Sequence, residues 1–288
     1  MDALDWARWQ FGITTVYHFL FVPLTLGLSL FVAVLQTRWQ RTGQDRYLRL
    51  TRLFGRILVI NFALGVATGL VQEFQFGMNW SSYSRFVGDV FGSLLAVEGL
   101  LAFFLESTFL GLWVFGWGRL PPRLHLATIW LVAAGTTASA YFILAANSFM
   151  QHPVGYRLNA ATGRAELTDF GALITNQALL GAFPHVISSA WLTTSCLVLA
   201  VCVWHLWRAK DDPAAYDQSD VDTYLTGARL AAWVAVLVGL VSFISGDFQA
   251  KLMTEQQPMK MAAAEGLYET SQPASLSVVT IGSLDGSE

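Results

Sequence analysis

The chain has 288 residues, of which 54% are hydrophobic and only 13% are charged, and its formal net charge is −3. Soluble domains are about a quarter charged, so this composition excludes a disordered chain, a nucleic-acid-binding protein and an ordinary cytosolic enzyme. With two cysteines, neither a disulfide framework nor a thiolate metal site is expected. The composition is that of an integral membrane protein, and its 11 Trp and 20 Phe suit lipid interfaces or a flat aromatic cofactor.

Six stretches are long and apolar enough to cross a lipid bilayer as helices, which takes about 20 residues each. In chain order they cover residues 15–36, 54–76, 90–117, 125–148, 184–207 and 227–246. The sequence therefore predicts an all-α, polytopic transmembrane helix bundle within residues 1–246. The polar remainder, 247–288, is predicted to lie outside the membrane, and it stops without a closing element. We expect it to be either a free extension or the start of a longer segment.

The basic residues predict which end of the bundle faces the cytoplasm. Eleven of the 17 lie on the side of the connection between the first two spans, residues 37–56, and the other six lie on the opposite side. Cytoplasmic loops carry the excess of Lys and Arg in membrane proteins. We therefore expect residues 37–56 in the cytoplasm, and both the N-terminus and residues 247–288 outside.

A GxxxG pattern in the second predicted span indicates a helix–helix contact. It is formed by Gly65 and Gly69, and small residues at this spacing let two membrane helices approach closely. Close approach of a flat cofactor is the second interpretation.

Two glutamates lie within the third predicted span, where an ionisable side chain is costly and is a functional candidate. Glu98 and Glu106 are eight residues apart, which is about 12 Å along a helix and about 80° around it. One broad inward face can therefore carry both. Such a pair can relay protons or ligate a metal; alternatively, both side chains are protonated and hydrogen-bonded across helices.

Two histidines lie toward the predicted outer ends of their spans, His18 in the first span and His185 at the start of the fifth. Neutral imidazole is a frequent ligand of haem iron. A histidine at a helix end can equally be a hydrogen-bonded structural residue, so both interpretations stay open. The other histidines are predicted not to be ligands; they are His125, His152 and His205.

The predicted outer segment contains an alanine-rich run that is expected to be helical. Lys260 and Glu265 flank it, five residues apart. That spacing places them about 140° apart around a helix, so they are not an ideal ion pair. From the spacing alone, both belong to a solvated face.

Five runs of residues occur in the same order in a known family. They are Tyr17–Gly27 (YHFLFVPLTLG), Asn61–Gly69 (NFALGVATG), Glu73–Gly77 (EFQFG), Asn79–Trp80 (NW) and Phe103–Thr108 (FFLEST). In these runs the chain resembles subunit I of the cytochrome bd quinol oxidases, and the resemblance extends over the whole chain. The alanine-rich outer segment is most similar to the cyanide-insensitive branch.

This resemblance implies a haem-bearing subunit of a terminal oxidase in the bacterial inner membrane, active only together with a second large subunit. The family oxidises quinol, either ubiquinol or menaquinol, on the outer side. It reduces dioxygen to water and generates a proton motive force without pumping. The implied cofactors are a low-spin haem b, a high-spin haem b and a haem d, or a third haem b in its place, without copper. From the residues alone, a proton-coupled transporter and a haem b electron-transfer anchor remain alternatives.

The resemblance also implies roles for individual residues in the membrane. His185 matches the axial ligand of the low-spin haem b, and His18 matches the histidine ligand of the high-spin pair, haem d or haem b. Glu98 matches a glutamate at the haem d site, as a distal ligand or proton donor. Glu106 matches a carboxylate on the proton route from the cytoplasm, and we expect Ser139 beside it.

Outside the membrane, the resemblance makes residues 247–288 the start of the quinol-binding loop. Lys260 and Glu265 match the lysine and glutamate of that loop, with Glu265 accepting a quinol hydroxyl proton. Family members continue past this loop into further helices, which carry a methionine ligand of the low-spin haem b and a glutamate ligand of a high-spin haem. We therefore expect this sequence to be the N-terminal portion of a longer subunit.

Overall fold

Long helices dominate the computed structural model of the chain, which describes residues 2–270, 272–273 and 279. Among these residues, six helices are long and apolar enough to cross a membrane, which confirms the predicted transmembrane bundle. The remaining residues of the predicted outer segment lie outside the described part of the chain. The helices are α1 Ala3–Thr42, α2 Asp45–Met78, α3 Ser81–Val97, α4 Phe104–Phe115, α5 Pro122–Gln151, α6 Phe170–Ile174, α7 Gln177–Asp211, α8 Gln218–Gln256 and α9 Pro258–Ala264.

Polar side chains and glycine set where the long helices begin and end. Asp2 and Asp5 form a capping box at the start of α1, and an equivalent box starts α8. Each box satisfies two backbone N–H groups that have no partner inside the helix. Gly43 ends α1 in the left-handed conformation, with φ of 68°, which glycine adopts without a steric cost.

The third span contains an irregular turn that the sequence did not predict. Between α3 and α4 the chain forms a π-helical segment, Glu98–Phe103. Its hydrogen bonds run from i to i+5, and such turns are frequent at functional sites. Since a π turn is wider than an α turn, it changes the direction in which Glu98 points relative to the residues that follow.

Neighbouring helices pack in antiparallel pairs, α1 with α2 and α7 with α8, and α1 also contacts α5 and α7. The largest buried cluster joins α1, α2, α4, α5, α7 and α8 and includes Phe54, Trp113 and Ile129. The GxxxG pattern lies in the α1–α2 interface, as the helix-contact interpretation predicts. A Cβ atom added at Gly65 would lie 3.4 Å from Cβ of Phe21 on α1.

A short hairpin between α5 and α6 was not predicted from the sequence. Strands β1 (Tyr156–Asn159) and β2 (Arg164–Leu167) pair in antiparallel register, with Tyr156 opposite Leu167. The backbone N–H of Leu167 donates a 2.7 Å hydrogen bond to Oδ2 of Asp89 on α3. Two four-residue strands are marginal by themselves, so this tertiary contact supplies support that the local sequence pattern does not show.

Candidate functional site

His18 on α1 is held against α2 by a hydrogen bond to a hydroxyl group. Its Nδ1 atom lies 3.1 Å from Oγ1 of Thr68. The Thr68 hydroxyl donates its own proton inside α2, to the carbonyl of Leu64 or Gly65. It therefore accepts from His18, which places the imidazole proton on Nδ1 and the lone pair on Nε2.

His185 on α7 is held against α8 in a similar way. Its Nδ1 atom lies 3.1 Å from the carbonyl oxygen of Ser242 and 3.3 Å from Oγ of Ser245. A carbonyl oxygen only accepts hydrogen bonds, so Nδ1 of His185 carries the proton. The lone pair of this histidine is again on Nε2.

Both histidines fit the requirements of an axial haem ligand. Iron-ligating imidazole binds through one nitrogen, while the other donates to a carbonyl, hydroxyl or carboxylate that sets the tautomer. His18 and His185 meet this condition on two separate helix pairs, and each is partly buried. The donor atoms present therefore fit haem iron at both positions.

Glu98 is the first residue of the π-helical segment and is hydrogen-bonded to α5. Oγ of Ser139 donates to Oε1 of Glu98 at 2.5 Å. The family resemblance places Ser139 beside Glu106, whereas in the structure the Ser139 hydroxyl bonds to Glu98. Gly135, one turn earlier on α5, lies against Glu106, and Glu98 begins the π-helical segment.

Glu106 on α4 is buried, with 6% of its surface exposed. A Cβ atom added at Gly135 would lie 2.8 Å from Cγ of Glu106, so the missing side chain of Gly135 makes room for the glutamate. Oε1 of Glu106 has no hydrogen-bond partner among the described residues. Since Glu98 and Glu106 both contact α5, one face of the third span carries both, as the sequence predicts. A carboxyl group buried in this way can take up and release a proton along that face.

The alanine-rich run forms α9, as predicted, and α9 is joined to the end of α5. Nζ of Lys260 donates a 3.0 Å hydrogen bond to Oε1 of Gln151, and Nε2 of Gln257 donates to the carbonyl of the same residue. Glu265 follows α9 directly, and its N–H bonds back to the carbonyl of Met261. Lys260 and Glu265 therefore lie at the end of the bundle where α5 ends.

His125 is part of a closed hydrogen-bond triangle at the opposite end of the bundle. Its Nδ1 accepts from Nε2 of Gln36 at 2.9 Å, and its Nε2 donates to the carbonyl of Trp113 at 2.8 Å. Nε1 of Trp113 closes the triangle by donating to Oε1 of Gln36. Both ring nitrogens of His125 are bonded, which agrees with the prediction that it is not a ligand.

Sequence reasoning missed the residues that hold the two candidate ligands, namely Thr68, Ser242 and Ser245. Hydroxyl side chains are common in membrane helices, where they bond to their own backbone. The sequence nevertheless contains a pattern that marks two of these residues, because Thr68 and Ser245 are each followed by glycine.

Comparison with known proteins identifies similar chains in several bacteria. The chain is 50% identical over 271 residues to cytochrome bd ubiquinol oxidase subunit 1 of Bacillus subtilis, covering 94% of this chain and 56% of that protein. It is 43% identical over 279 residues to cytochrome bd-II ubiquinol oxidase subunit 1 of Escherichia coli, covering 96% of this chain and 52% of that protein. The chain thus spans about half the length of these relatives.

The fold is similar to a solved structure of the same kind. The bd oxidase from Geobacillus thermodenitrificans superimposes with a TM-score of 0.83 at 29% sequence identity, covering 93% of this chain and 60% of that one. The family described as cytochrome bd terminal oxidase subunit I matches residues 6–288. The chain therefore belongs to the cytochrome bd terminal oxidase subunit I family, and it is a multi-pass protein of the bacterial inner membrane.

Proposed function

We propose that this chain bears haem in a terminal oxidase that oxidises quinol and reduces dioxygen to water. The observation that carries the proposal is the geometry of His18 and His185. Each of these two histidines has Nδ1 in a hydrogen bond and its lone pair on Nε2, and the chain belongs to a terminal oxidase family. The similar proteins are named as ubiquinol oxidase subunits, and a further relative is named as a putative menaquinol oxidase subunit, so either quinol is a candidate substrate.

His185 would hold the low-spin haem b through Nε2, and His18 would hold one haem of the high-spin pair. That pair is a high-spin haem b and a haem d, or a third haem b in place of haem d, and no copper is involved. When bound, haem iron supplies electron transfer and the binding of dioxygen. The protein orients the imidazoles and surrounds them with apolar helices.

Glu106 and Glu98 would carry protons from the cytoplasm toward the haem d site. Glu106 lies closer than Glu98 to the cytoplasmic end of the bundle, which is predicted from the arginine-rich 37–56 connection. Ser139 holds the carboxyl group of Glu98 in one position, so that Glu98 can serve as a proton donor or distal ligand. Taking protons from the cytoplasm and releasing them outside at quinol oxidation generates a proton motive force without a pump.

Lys260 and Glu265 would contact quinol at the outer end of the bundle. The ammonium group of Lys260 can donate to a quinol oxygen, and Glu265 can accept a quinol hydroxyl proton. The hydrogen bond from Lys260 to Gln151 places this group beside the end of α5. Turnover would also require the second large subunit of the oxidase. The family match favours this function over a proton-coupled transporter or an electron-transfer anchor.

The test is a spectroscopic and kinetic study of the full-length subunit in its purified membrane complex. We expect haem absorbance and quinol-dependent oxygen uptake in the wild type. His18→Ala should remove high-spin haem absorbance, and His185→Ala should remove low-spin haem b absorbance. His152→Ala, a matched change at a histidine predicted not to be a ligand, should keep both. A wild-type complex without haem would refute the proposal.

A further inference from the structure

The two candidate haem ligands each contact a hydroxyl residue followed by a glycine on the neighbouring helix. His18 on α1 contacts the sequence Thr68-Gly69 on α2, and His185 on α7 contacts Ser245-Gly246 on α8. In each case a hydroxyl residue bonds to Nδ1 and the glycine after it lies under the ring. We call each pair, Thr68-Gly69 and Ser245-Gly246, a hydroxyl–glycine cradle.

The glycine of each cradle makes room for the edge of the imidazole ring. A Cβ atom added at Gly69 would lie 2.9 Å from Cε1 of His18. One added at Gly246 would lie 3.0 Å from Cε1 and 3.3 Å from Nδ1 of His185. Real Cβ atoms rarely approach so closely, so an alanine at either position would push the ring away from the helix.

The hydroxyl group of each cradle accepts a hydrogen bond from the ring and does not donate one to it. Oγ1 of Thr68 donates to the carbonyl of Leu64 at 2.9 Å. Oγ of Ser245 donates to the carbonyl of Val241 at 2.7 Å. Each hydroxyl has a single proton, which is used inside its own helix, so its lone pairs face Nδ1–H of the histidine.

We propose that the two cradles are positioning elements that fix the tautomer and the plane of each histidine so that Nε2 points away from the neighbouring helix, toward haem iron. The hydroxyl group bonds to Nδ1, together with the nearer carbonyl oxygen of Ser242 in the case of His185. The glycine leaves room for Cε1, so the neighbouring helix positions two atoms of each ring. An acceptor on Nδ1–H also makes the imidazole a stronger electron donor through Nε2. This inference rests on the proposed function, because it takes both histidines as haem ligands.

The hydroxyl of Thr68 is tested by a change that keeps its shape. Thr68→Val removes the acceptor and leaves a side chain of the same size, whereas Thr68→Ser keeps the acceptor. In the full-length subunit within its membrane complex, we expect Thr68→Val to weaken haem retention roughly 10- to 100-fold. The iron–histidine stretching frequency of the high-spin haem should fall and its midpoint potential should rise. Thr68→Ser should restore both readouts.

The matched control for the hydroxyl change is Thr226→Val. The Thr226 hydroxyl also donates inside its own helix, to the carbonyl of Asp222, but it is not in a cradle. This variant should leave the haem content, the stretching frequency and the midpoint potential at their wild-type values.

The glycines are tested by alanine substitutions with controls on the same helices. Gly69→Ala and Gly246→Ala should each reduce the content of the haem assigned to their own histidine. At Gly77 on α2 and Gly239 on α8, no atom of the described residues beyond the adjacent helix backbone lies within 4 Å of an added methyl group. Gly77→Ala and Gly239→Ala should therefore keep the full haem content.

The outcomes separate the cradle from the proposed function. If a Thr68→Val complex keeps the wild-type stretching frequency and midpoint potential, the positioning role of the cradle is refuted, and the proposed oxidase function is not affected. If Thr68→Val does not assemble, equal haem content in Gly69→Ala and Gly77→Ala would refute the positioning role instead. A wild-type complex without haem would refute the proposed function itself.

Discussion

The hydroxyl of Ser139 on α5 donates a hydrogen bond to the carboxyl group of Glu98, the first residue of the π-helical segment. Gly135, one turn earlier on α5, touches Glu106. Four residues of an α-helix rise about 6 Å, so the contacts of the two glutamates lie about that far apart along α5. In the proposed proton route, a proton on Glu106 would therefore find a second carboxyl group, that of Glu98, one helical turn further along the same interface.

Removing the carboxyl group of Glu98 should slow turnover much more than removing its hydrogen-bond donor. We expect Glu98→Gln to lower quinol-dependent oxygen uptake by roughly 10²- to 10⁴-fold, because a positioned acid contributes rate enhancements of that order. Ser139→Ala removes one hydrogen bond, whose net contribution is about 1 kcal/mol, and should lower the rate about fivefold. Ser93→Ala on α3, where the hydroxyl donates to the carbonyl of Val90, is the control. Equal rates in Ser139→Ala and Ser93→Ala would contradict the prediction.

Glu106 should be needed for proton supply but not for holding haem. Glu106→Gln keeps the size of the buried side chain and removes its proton, so oxygen uptake should fall roughly 100-fold or more while haem absorbance stays unchanged. The control is Asp222→Asn, the same carboxyl-to-amide change at an exposed residue. Loss of haem together with activity in Glu106→Gln would show a structural role instead.

Lys260 should affect the binding of quinol more than the maximal rate. A hydrogen bond from a charged donor contributes about 1.5–3 kcal/mol, so Lys260→Ala should raise the KM for quinol about tenfold or more, with kcat little changed. Lys251→Ala provides the matched control, because Lys251 is an exposed lysine paired with Asp247 at 2.7 Å. Steady-state kinetics over a range of quinol concentrations measure the effect. The same KM in both variants would exclude a quinol contact at Lys260.

Gly27 allows α1 to approach α7, and a larger residue there should destabilise the bundle. A Cβ atom added at Gly27 would clash with Oγ1 of Thr194, so Gly27→Ala should cost about 1–3 kcal/mol of stability. Adding Thr194→Ala should recover only part of that loss, since it removes Oγ1 and Cγ2 of Thr194 but leaves its Cβ atom in the clash. Thermal unfolding of the detergent-solubilised protein measures both variants. Gly12→Ala on the same helix should behave as wild type, because no atom of the described residues beyond the adjacent helix backbone lies within 4 Å of the added Cβ.

The amino-acid sequence by itself determined the properties that depend on one stretch of chain at a time. The six spans follow from apolar length, because a helix needs about 20 such residues to cross the bilayer. The sequence also identified four candidate functional residues, Glu98, Glu106, His18 and His185. Placing ionisable or polar side chains inside the membrane costs free energy, so such residues are functional candidates. The motif runs, two of which contain His18 and Glu106, identified the family, and the family match over residues 6–288 confirmed it.

Only the tertiary structure decided which side chains meet. Ser139 and Glu98 are 41 residues apart, and His18 and Thr68 are 50 apart. No periodicity within a single helix encodes such pairs, because they depend on how two helices rotate and slide against each other. The π-helical segment and the docked hairpin have the same origin. Their local sequences are compatible with several conformations, and contacts with distant residues select one.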